Sequence, residues 1–135
     1  MSQVDSTYTL STTTELGFTD AVTRVREELA NEGFGVLCEI DAQATLKQKL
    51  GIDRDPYLIL GACNPTLAHA ALEAEPELGV LLPCNVVVYR QEGHTHIAAV
   101  DAEQMLSIVG NERLSDTASE VKRRLSDVVD RAARS

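Results

Sequence analysis

Two extended runs in this chain are interrupted in the same manner, at Gly61-Ala62-Cys63-Asn64-Pro65 and at Leu82-Pro83-Cys84-Asn85-Val86. Proline lacks a backbone donor and steers the residue before it away from helical geometry, so regular structure must change character beside each cysteine. In the first run Asn64 is suited to cap a helix, and Pro65 fits the first helical position, where no donor is needed. Cys63 therefore marks a strand-to-helix joint. In the second, a thiol and an amide directly follow a proline. Joints of this kind are where a sheet ends and a pocket can open.

Periodicity supplies the rest of the architecture. Tyr8, Leu10, Thr12 and Thr14 alternate as in a half-buried strand. Phe18, Ala21, Val22, Val25 and Leu29 recur at helical spacing, with Gly33 placed to end that helix. Phe34, Val36, Cys38 and Ile40 alternate again, which predicts Cys38 on the more apolar face as a packing residue. Asp41 can cap a short helix bearing Ala42, Leu46 and Leu50 on one face, closed by Gly51. Residues 57–62 read as a strand leading to Cys63, and Leu67, Ala70, Ala71 and Ala74 give the helix after Asn64 a small-residue face that Pro76 ends. Residues 80–89 and 95–100 read as strands, with Gln91-Glu92-Gly93-His94 as a hairpin. Asp101 and Gln104 resemble a capping box for a short helix reaching Val109, and Leu114, Ala118, Val121, Leu125 and Val128 stripe a final helix. With no repeat, linker or low-complexity tract, residues 1–135 read as a single α+β domain.

Residues 51–88 resemble a bacterial and archaeal family catalogued as domain of unknown function 302. The resemblance is carried by Tyr57, by Ile59-Leu60-Gly61-Ala62-Cys63-Asn64-Pro65, by Ala68, Leu72, Glu73, Pro76 and Gly79, and by Leu81-Leu82-Pro83-Cys84-Asn85-Val86. Gly33-Phe34-Gly35-Val36 and Ile40-Asp41 fit its layout as well. The resemblance implies one curved, mainly antiparallel sheet with helices packed on one face, often as a homodimer, and implies no established activity. Leu58 occupies a position where that family commonly carries a basic residue.

Charge narrows the partners. A net charge of -9 repels phosphate backbones and anionic lipid surfaces, so neither nucleic acid nor a membrane is an expected partner. No apolar run approaches the length of a membrane-spanning helix, and residues 1–10 carry no basic start followed by an apolar stretch. With 3 cysteines, at least one thiol stays free within a monomer. A reducing cytoplasm is the expected compartment.

No stretch matches a known catalytic or cofactor-binding pattern, so any cofactor is unidentified at this point. The candidate ligand-binding residues are Cys63, Cys84, Asn64 and Asn85, which together would hold a small ligand or a soft metal if the two joints meet in space. The competing reading makes both thiols buried packing, Asn64 a helix cap and Asn85 a local turn former, with function residing in dimerisation or contact with a protein partner. His94 and His96 share one strand face without a fixed third metal ligand. His69 is a possible base for Cys63 but lacks a carboxylate to orient it, and Met105 reads as a gap filler. A cysteine enzyme consequently ranks last. Its place before a helix start makes Cys63 the expected fastest thiol, followed by Cys84 and then Cys38.

Overall fold

The alternation in the threonine-rich segment forms β1 (Thr9–Thr14), with Leu10, Thr12 and Thr14 turned into the core. A computed structural model describes residues 7–134; residues 1–6, part of the segment read for an export signal, lie outside the described residues. Helix α1 (Phe18–Asn31) buries Ala21, Val25 and Leu29, the stripe its spacing predicts. Strand β2 (Gly35–Asp41) and helix α2 (Ala42–Leu50) follow, the helix capped where Asp41 accepts from the Ala44 N–H at 2.9 Å. Then come β3 (Tyr57–Cys63), α3 (Pro65–Ala74), β4 (Cys84–Gln91), β5 (His94–Val100), α4 (Ala102–Ser107) and α5 (Ser115–Ala132).

The strands form a five-stranded sheet in the order β1-β5-β4-β3-β2, and every neighbouring pair is antiparallel. This is an α+β fold. Helices α1 and α5 cover one face, where Val25, Leu29, Leu125 and Val128 pack on Leu60, Val86, Val88 and Ile97. Each of these side chains is fully buried and contributes about 1.5–3 kcal/mol relative to exposure. Thr14 ties the end of α5 to the sheet by donating to the Ala133 carbonyl at 2.8 Å, and Arg124 donates to the Glu32 carbonyl at 3.0 Å. The turn between β4 and β5 is a two-residue one, with Glu92 at φ 52° and Gly93 at φ 80°, the left-handed pair that matches hairpin twist.

Three segments depart from their sequence patterns. Residues 80–83 are not strand: Pro76–Leu81 forms a tight helical turn, a cis peptide joins Leu82 to Pro83, and pairing begins only at Cys84. Val80, apolar but 86 % exposed, is the reason the run looked like a strand. The α2 stripe is only partly covered: the helix lies against β2 and β3 with Ala42 and Leu46 half-buried, no residue of it is buried, and Leu50 is 65 % exposed. Cys38 is exposed rather than packed, because a bulge between Val36 and Cys38 shifts the β2 register and turns it to the far side of the sheet beside Gly61.

That far side carries no helix of the core cluster. Its side chains include Ser11, Ile40, Ile59, Val87 and Ala98, all half-buried or exposed, and a row of rings crosses three strands. Tyr57 stacks on Tyr89 with centroids 5.2 Å apart, Tyr89 stacks on His96 at 4.8 Å, and the Arg54 guanidinium lies 5.0 Å from the Tyr57 ring centre. Aromatic cross-strand pairs of this type stabilise a sheet by roughly 0.2–1 kcal/mol each.

Candidate functional site at the two cysteine joints

Ala62 stands directly opposite Cys84 in the β3–β4 ladder, and Cys63, the next residue, pairs with Gly35 of β2, so strand alternation turns the Cys63 and Cys84 side chains toward opposite faces where the two strands end. Beyond that point the chains diverge. The first enters α3 through Asn64 and Pro65, while the second arrives from Pro83. Their divergence leaves a cavity of about 310 Å³ bordered by residues Cys63 and Cys84. Helix α3 contributes its small face, including Ala68 and Ala71, and α4 contributes Met105 and Leu106. Pro83 and Leu82 close it on one side, and Val121 of α5 on another. Alanines on α3 keep that helix slim enough to leave the space, which is the structural use of its small-residue face.

The two thiols differ. Cys84 is 8 % exposed, and burial, with a smaller contribution from neighbouring Cys63, pushes its pKa up to about 11, so it is a neutral thiol at physiological pH. Cys63 is half-buried at the positive end of a 10-residue helix. Asn64 lines the same cavity and is 8 % exposed, yet its carboxamide oxygen is committed to capping, accepting from the Leu67 N–H at 3.2 Å. It is therefore wall and cap at once.

Asn85 is elsewhere. Strand alternation sends its exposed side chain to the far side of the sheet, next to Gly61, and it does not line the cavity. It is thus separated from the cavity that Cys63, Cys84 and Asn64 border. His69 is exposed on α3 and is absent from the cavity wall, which leaves Cys63 without the base considered for it. His94 and His96 do share a face, where His96 is stacked on Tyr89. Among the described residues no three of His, Cys, Asp and Glu gather as a metal-binding group.

Sequence reasoning passed over Met105 as a lining residue, and it passed over the ring row entirely. Period-two spacing places Tyr57, Tyr89 and His96 each on a strand face, but only the register brings them together. Among the described residues no helix is long and apolar enough to cross a membrane.

The sequence profile of the family described as Domain of unknown function DUF302 matches residues 10–132. A solved structure titled as an uncharacterized conserved protein DUF302 from Bacillus stearothermophilus superposes with a TM-score of 0.88 at 29 % identity, covering 96 % of this chain and 100 % of the other. No curated protein matches the chain.

Proposed function

The chain belongs to the DUF302 family, whose function is unknown, and from its own site we propose that it is a non-catalytic binding or sensor domain holding a small ligand or a soft metal in the cavity at Cys63 and Cys84. The observation that supports this reading is the cavity itself, about 310 Å³ with Cys63 and Cys84 among the residues that border its mostly apolar wall. Its size falls at the lower end of small-molecule sites. A reducing cytoplasm would keep both thiols available. Small apolar probes such as indole or naphthalene test the cavity by thermal unfolding. A probe at ten times its Kd is expected to stabilise the protein by about 1.4 kcal/mol, and Ala71→Phe, which fills the space, is expected to abolish the shift. Unaltered melting with every probe would remove the reading.

A second reading concerns assembly. The far face of the sheet presents no Asp or Glu from any of its five strands, in a chain with 21 acidic residues. Two copies of net charge -9 approach at least cost through surface of that kind, so we propose a homodimer joined face to face across it. Light scattering is expected to give twice the chain mass, and Val87→Glu with Ala98→Glu to give the single mass. A monomer of the unmodified protein in both moderate and high salt would rule the dimer out.

A further inference from the structure

Charged residues make up 24 % of the chain, yet among the described residues no Asp, Glu, Lys, Arg or His borders the cavity at the ends of β3 and β4. The polar residues on its wall are Asn64, whose oxygen is already engaged with the Leu67 N–H, and Thr117. The apolar wall runs from the buried Ala62 and Leu78 out to Leu37 and Leu72, which border the cavity while remaining 67 % and 38 % exposed. The space therefore opens to solvent through an apolar mouth, and an entering molecule meets hydrocarbon from rim to floor. At about 310 Å³ it is roughly twice the ~150 Å³ that admits benzene in an apolar protein cavity, which gives room for about ten carbon atoms. An ionised group carried inside would lose its water and find no opposite charge in return.

We propose that this cavity takes an uncharged, mainly hydrocarbon ligand the size of two fused rings. This rests on the cavity reading above and names the class of its occupant, an organic molecule rather than a metal ion. Selection works by exclusion. The wall offers the same apolar contact to a neutral molecule and to an ion of equal shape, but only the ion sheds hydration that nothing in the wall replaces.

The test compares three naphthalene probes of one shape on the full-length protein: 2-naphthalenemethanol, which is neutral, 2-naphthoate, an anion, and 2-naphthylmethylammonium, a cation. The chain has no Trp, so naphthyl fluorescence reads each titration directly. The alcohol is expected to bind at least about 100-fold more tightly than either ion. Weak binding of the cation is the informative half, because a net charge of -9 by itself repels only the anion. Nuclear Overhauser contacts from the naphthyl protons are expected to reach Leu67, Leu72 and Met105, and Ala71→Phe, with circular dichroism confirming its fold, is expected to abolish binding. Either ion held in the cavity as tightly as the alcohol would overturn the inference and leave the cavity reading standing. Contacts to Tyr57 and Tyr89 instead, or full binding by folded Ala71→Phe, would put the probe outside the cavity and overturn both. Failure of the alcohol to bind would overturn the inference as well: if naphthalene still stabilises the protein, the cavity reading survives, and if it does not, the two fall together.

Discussion

Gly61→Ala is expected to lower stability by roughly 1–3 kcal/mol, the usual consequence of forcing atoms into a packed site. A Cβ at this position would lie 2.5 Å from Cys38 Sγ and 2.8 Å from Pro83 Cγ, well inside contact distance. The exposed Cys38 Sγ can turn about its side-chain bond, but the Pro83 ring is closed on its own backbone and cannot swing aside, so the backbone at Pro83 or in β3 must shift. Urea unfolding measures the loss. The double variant Cys38→Ala/Gly61→Ala removes one of the two clashes and is expected to recover part of it, with a coupling of about 0.5 kcal/mol or more. Full stability of Gly61→Ala alone would show that the three residues are not packed as described.

Native thiol labelling is expected to run in the order Cys38, Cys63, Cys84, which inverts the ranking that sequence alone suggested for Cys38. Cys38 is exposed on an edge strand, Cys63 is half-buried, and Cys84 is buried. Raising a thiol from 9.0 to about 11 reduces its thiolate fraction at neutral pH roughly 100-fold. The greater nucleophilicity of a more basic thiolate restores about tenfold of this. Cys84 should therefore label at least about tenfold more slowly than an ordinary thiol, before inaccessibility slows it further. Mass spectrometry of peptides after timed exposure to a maleimide reads all three rates. Cys84 modified first in the folded protein would contradict the burial on which the site description stands.

Much of the scaffold was legible because local chemistry and tertiary packing agree there. The α1 stripe, the Asn64 and Asp101 caps and the buried side of α5 each follow from spacing that packing then uses. Cys38 was misread because a bulge inserts one residue into β2, and period-two reasoning has no signal for such an insertion. Val80 was misread because an apolar side chain in an exposed turn looks, in sequence, like a strand residue. At the site, the two proline joints lie where pairing between β3 and β4 ends. What they did not carry was direction. Asn64 and Asn85 each follow a cysteine, yet one caps a helix in the cavity wall while the other points across the sheet, a distinction that only the end of pairing after Ala62 creates.

Pro83 has a wider consequence. It lines the cavity, and its Cγ also sits against the space over Gly61 shared with Cys38. The β2 bulge repeats the arrangement, since Leu37 lines the cavity while Cys38, next in the chain, lies beside Gly61 on the other side. At this end of the sheet the two surfaces are not insulated from each other. An occupant that displaces the Pro83 ring alters the surroundings of a sulfur it never touches, which makes Cys38 a natural gauge of whether the pocket behind it is full.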